Sequence, residues 1–170
     1  VPAEPTYGSW GGRFQRFGAY YGDAKDQVET EHSGIATVWR WREAFQNEFQ
    51  ARMDWCLSSY PEANHLPIAV VNGDRSKRIL HYESVPGNIA TFDASDSIDP
   101  DGDALRYNWW IYHEAGTYPG TIQLEQNSEP SITLVIPKDV QPGQQIHLIL
   151  EVIDDGEPPL TAYRRIVIYI

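Results

Sequence analysis

A single cysteine, Cys56, leaves no internal disulfide, and without a second thiol or a close histidine it is a poor zinc ligand, so it reads as a core residue. Basic residues are scarce. Thirteen Lys and Arg against 24 Asp and Glu give a formal charge of -11, a surface that repels phosphate backbones and anionic lipid. Nucleic acid and anionic membrane are therefore excluded as favoured partners. No apolar run is long enough to span a bilayer, and the opening VPAEPTYGSW lacks the basic and apolar regions of a signal peptide. Catalytic signatures are missing as well: there is no G-x-S-x-G, no H-E-x-x-H, no Walker A loop and no dinucleotide-binding fingerprint. His32, His65, His81, His113 and His147 are scattered, and none stands at metal-ligand spacing from another. Each reads as a surface or partly packed side chain.

What is present supports a folded body, since 41% of the residues are hydrophobic. A Pro-rich, coil-like start and an end inside a strand pattern (RRIVIYI) suit a C-terminal piece of something longer. Residues 7–22, YGSWGGRFQRFGAYYG, mix glycine with aromatic residues without helical or strand period, and so read as a loop-rich segment. Its rings can serve as a docking surface or fold back over their own domain, and burial statistics favour the second.

From Ala36 to Ser58, Val38, Trp41, Phe45, Phe49, Met53 and Cys56 recur every three or four residues, which predicts an amphipathic helix capped by Ser33 or Thr37 and ended by the Pro61–Pro67 stretch. Trp39 and Trp55 widen its apolar stripe and call for a large body to pack on.

After Pro67 the period falls to two. The segments PIAVVNGD, GNIATFD, LRYNWWIYH, TIQLE, SITLVIP, IHLILEVID and AYRRIVIYI, separated by turn formers, predict an immunoglobulin-like β-sandwich over residues 66–170, with residues 1–65 as a packing element. The fold class is thus mainly β, with one helix. Alternation places Leu105, Tyr107, Trp109 and Ile111 on the core face of one strand and Trp110 and Tyr112 on the other. Those last two, with Trp10, Tyr20 and Tyr21, are the candidate sugar-stacking rings, provided that the helix leaves Trp110 and Tyr112 uncovered.

The densest polar cluster is DASDSIDPDGD, residues 93–103. Its register fails an EF-hand loop at the first and last ligands, and no helices flank it. Two readings stand: a turn in which aspartates bond their own backbone, and a calcium site built from Asp99, Asp101 and Asp103. A second acidic turn, EVIDDGEPPL, carries Asp154 and Asp155, and alternation alone does not say whether the two meet. Nothing in either turn would raise one carboxyl selectively, as a glycosidase requires.

The block ATFDASDSIDPDGDALRYNWW resembles PKD-like domains of secreted bacterial proteins. With ATVWRWREAFQNEFQARMDW, NHLPIAVVNG, EAGTYPG and EVIDDGEPPLTAYRRIVI in this order, the chain resembles the C-terminal domain of bacterial proteins described as cellulose-binding, which carry a nucleoside-hydrolase-like domain first. The resemblance implies a non-catalytic module, exported to the periplasm, cell surface or medium. Its implied partners are a plant polysaccharide and the N-terminal hydrolase-like domain. An alternative role is to pack on that domain and shape its substrate entrance. The resemblance transfers no sugar-contacting residue.

Overall fold

The computed structural model describes residues 4–170. They form two compact units, one ending at Phe49 and the other covering Gln50–Ile170.

The first unit contains two short antiparallel hairpins, β1 (Phe14–Phe17) with β2 (Tyr20–Asp23) and β3 (Asp26–Val28) with β4 (Glu31–Ser33), followed by a single helical turn, α1 (Ala36–Trp39). The stretch expected to be a loop is therefore largely a hairpin. Gly18 supplies its two-residue turn with φ 60°, a conformation glycine adopts without steric cost. Asp26 organises this unit. It is completely buried, and its two carboxylate oxygens meet Arg13 Nε at 2.7 Å and Arg40 Nε at 3.0 Å. One anion thus ties the entry to β1, the start of β3 and the end of α1 together.

The expected helix over 36–58 is two helices. Trp41 N–H returns to Val38 O, three residues back, and a second helix, α2 (Arg42–Asp54), starts after that tightened turn. Its buried stripe is Trp41, Ala44, Glu48 and Ala51. The expected face is corrected: Phe45 is half-buried against the Trp10 ring at 6.3 Å, while Phe49 and Met53 are exposed. Alanines allow close approach of the helix backbone, whereas reading large side chains as the core picks the neighbouring ridge. Cys56 lies past the end of α2 and is exposed, which corrects its reading as a core residue.

The second unit is a β-sandwich. Its larger sheet has the order β5 (Leu80–Glu83), β10 (Thr161–Tyr169), β9 (Gln145–Ile153), β7 (Arg106–Ile111), with β5 parallel to β10 and the other pairs antiparallel. The smaller pairs β6 (Ile89–Asp93) with β8 (Ser131–Val135). Between them lies one core: Ala90, Phe92, Ile132 and Leu134 from the small sheet meet Trp109, Leu148, Leu150, Val152, Ile166 and Ile168 from the large one. Trp109 occupies the core position that alternation assigns it, and its indole N–H donates to Glu129 O at 3.0 Å.

Two expected strands differ, and one observed strand was not among those expected. PIAVVNGD makes only isolated bridges, because Val70 N–H goes to Ser97 Oγ, Ile68 pairs with Ile98, and Asn72–Gly73 turn the chain at positive φ. TIQLE packs Ile122 and Leu124 on the core without joining a ladder. The strand β5 carried no clear signal within SKRILHYES.

Candidate functional site

The five aromatic candidates separate into different environments. Tyr112 is 0% exposed, so it cannot stack on a sugar; this corrects its selection. The face of the large sheet opposite the core is also buried, through Tyr112, His147, Ile149 and Val167, which explains why an outward-pointing residue is still hidden. Trp110 lies beside it, ring centroids 5.3 Å apart, and is half-buried. Trp10 is half-buried against Phe45. Tyr20 and Tyr21 alone among the five are exposed, at 67% and 47%.

These two tyrosines sit on the β1–β2 hairpin with a partner that sequence reasoning missed. Phe17 pairs directly with Tyr20 in the ladder, and their rings stack at 5.7 Å with an interplanar angle of 25°. A Cβ on Gly22 would lie 2.9 Å from the Phe17 ring, so the absence of a side chain there lets the ring settle on the hairpin. The opposite hairpin face presents Arg16 across from Tyr21, the guanidinium held by Gly18 O at 3.0 Å. The result is an exposed ring stack that shares its face of the ribbon with Gln15, while Tyr21 and Arg16 occupy the other face. Flat aromatic faces beside polar donors are the chemistry that binds sugar rings.

The second constellation is the acidic one. Asp99, Asp101 and Asp103 come together, each offering one oxygen within 4.8 Å of the others. The backbone-bonded turn forms: Asp99 Oδ1 accepts the N–H groups of Asp101 at 2.8 Å and Asp103 at 3.2 Å. Asp101 is occupied by His65, whose backbone N–H and Nδ1 lie 2.7 and 2.9 Å from its oxygens. The second acidic turn joins the first, since Asp155 Oδ1 accepts Ala104 N–H at 2.8 Å.

Asp154 is completely buried. Its Oδ1 accepts Leu160 N–H at 2.9 Å, Gly156 N–H at 3.0 Å and Asn64 Nδ2 at 3.2 Å. Three further oxygens, Asp154 Oδ2, Asp99 Oδ2 and Asn64 Oδ1, are buried without any hydrogen-bond partner. Each such oxygen costs about 1–3 kcal/mol unless something satisfies it. Burial pushes the Asp154 carboxyl above its ordinary value and Asp99 adds to this, against the hydrogen bonds that Oδ1 accepts. Asp103 is pushed up too, by burial and then by the carboxylates of Asp99, Asp155, Asp154 and Asp101. Asp154 was visible in sequence as half of an acidic turn; Asn64 carried no signal, because its role arises only from tertiary contact.

His147, expected at the surface or partly packed, is buried on the second face of β9, a correction with the same cause as Tyr112. Burial, with the Arg165 charge beside it, lowers it to about 3, so it stays neutral across ordinary pH.

Residues 89–170 match the family described as "Cellulose-binding protein Sde0182, C-terminal domain". That match covers a little under half of the chain, 82 of its 170 residues. Both acidic turns lie inside the Sde0182-type segment, and the aromatic hairpin lies before it. Over 98% of its length the chain also aligns, at 34% identity and a TM-score of 0.81, with a nucleoside hydrolase-related hypothetical protein from Saccharophagus degradans that is associated with carbohydrate metabolism. It spans 45% of that protein. The PKD domain from the KIAA 1837 protein aligns at 20% identity over 54% of this chain and 79% of its own, with a TM-score of 0.37. The immunoglobulin-like description of the sandwich rests on its two packed sheets. No curated protein matches the chain. No helix among the described residues is long and apolar enough to cross a membrane.

Proposed function

We propose that this chain is a non-catalytic, carbohydrate-binding module of a secreted or cell-surface bacterial protein, and that it holds plant polysaccharide such as cellulose on the β1–β2 hairpin. The observation that carries this reading is the exposed Phe17–Tyr20 ring stack, with Tyr21 exposed on the other face of the same hairpin. Large aromatic groups left in water on a short hairpin contribute little to the fold, and they supply the apolar faces that sugar rings stack on. The Sde0182 family name supports cellulose as the ligand class.

Retention on insoluble cellulose tests it. The wild-type chain is expected to be retained, whereas Tyr20→Ala with Tyr21→Ala is expected to pass through with an unchanged melting temperature. A wild type that binds no plant polysaccharide, or a double variant retained as well as wild type, would overturn the reading.

A second reading is favoured by different residues. Phe49 and Met53, one turn apart on α2, are exposed at 64% and 50%. They suit packing against a nucleoside-hydrolase-like domain of the same parent, in which this chain would act as an accessory body. In that case Phe49→Asp would weaken association with the remainder of the parent supplied in trans and leave cellulose retention intact.

A further inference from the structure

We propose that one calcium ion binds between the two acidic turns of the sandwich, held by Asp99 Oδ2, Asp154 Oδ2 and Asn64 Oδ1 with Asp103 alongside. These three oxygens are buried, and no group in the protein donates a hydrogen bond to them. They come from three separate segments: the 99–103 turn, the 154–160 turn, and the stretch that leads into the sandwich at Asn64. Each is aimed by bonds made through its other atoms. Asp99 is oriented by the N–H groups of Asp101 and Asp103 on its Oδ1, and Asp154 by three donors on its own. Asn64 Nδ2 donates to Asp154 Oδ1 and to Pro158 O at 2.8 Å. Every donor therefore lies on one side of these groups, and the remaining oxygen of each is left over.

The chemistry selects the ion. Among the described residues the one basic side chain bonded to any of Asp99, Asp101, Asp103, Asp154 and Asp155 is His65, on Asp101. A site offering only carboxylate and amide oxygens, with several negative charges and irregular turn geometry, suits calcium. It is less suited to magnesium, which needs a near-ideal octahedron, or to zinc, which prefers nitrogen and sulfur. Asp101, the third member of the trio picked from the sequence, instead latches His65, and so secures the neighbour of Asn64. The ion would fasten the chain's entry into the sandwich to its two acidic turns. This inference is independent of the sugar-binding reading, because it uses no residue of the aromatic hairpin.

The competing account is a proton shared among these carboxyls, which requires no metal. Thermal melts of the whole chain, in calcium chloride and in chelator, distinguish the two, with calorimetric titration of calcium giving the stoichiometry. One ion per chain is expected, with the melting temperature raised by about 5–10 °C at a hundredfold excess over Kd. Asp154→Asn and Asp99→Asn keep the Oδ1 acceptor and remove one charge each. Both are expected to melt in chelator at or above the wild-type value and to lose the calcium shift. Identical wild-type melts with and without calcium would overturn the proposal, as would a full shift retained in both variants. If one variant fails to fold, the other and the wild-type titration still decide.

Discussion

The side chain of Asn64 fills the space that a Cβ on Gly156 would occupy. Gly156→Ala must therefore push the amide away from Asp154 and Pro158 O, its two hydrogen-bond acceptors. A loss of about 1–3 kcal/mol is expected. In a denaturant-melt cycle with Asn64→Ala, the double variant should fall well short of the sum of the singles, because the shortened side chain no longer meets the new methyl group. Additive costs would show that the two residues do not compete for that space.

Asp26 sits buried between Arg13 and Arg40. Removing it with Asp26→Ala leaves two largely buried guanidinium groups without their shared anion, a loss of about 3–5 kcal/mol. Local unfolding of the first unit, followed by amide exchange across β1 to β4, is the expected outcome. Unchanged exchange there would place the organising contact elsewhere.

The helix face separates by substitution. Trp41 is buried, so Trp41→Ala should cost about 3–5 kcal/mol, whereas Phe49→Ala, at an exposed site, should change stability by no more than about 0.5 kcal/mol. Urea midpoints of the two variants check this directly.

His147 sets an acid limit. Its value in the folded state is about 3 against 6.5 for the free side chain. Below 6.5 the unfolded chain takes up a proton that the folded one refuses, so this contribution to stability declines as pH falls from 6.5 toward 3. The slope approaches about 1.4 kcal/mol per pH unit. His147→Gln should flatten the stability profile between pH 6 and pH 4 relative to wild type; parallel profiles would refute the assignment.

Gly22→Ala tests the hairpin without touching a ring. The added methyl would press on Phe17 and tilt it off Tyr20. Weakened cellulose retention with a melting temperature within a few degrees of wild type is the expected result. Retention equal to wild type would argue that ring alignment is immaterial.

Alternating side chains made the sandwich legible in the sequence. In β6 and β8 only one face is buried, so Ala90, Phe92, Ile132 and Leu134 alternate with exposed neighbours, and Trp109 could be placed in the core by counting residues. The acidic turns were equally visible as Asp-Gly punctuation. Tertiary structure decided the rest. Tyr112 and His147 lie on the second buried face of a sheet, where the period of two no longer separates inside from outside. The helix buries alanines in place of its larger Phe49 and Met53, a choice set by how closely backbones approach rather than by hydropathy. Asn64 meets Asp154 across ninety positions, and Ala104 meets Asp155 across fifty-one. Local pattern carries no information about such pairs, because a hydrogen bond needs proximity in space, and chain folding alone supplies it.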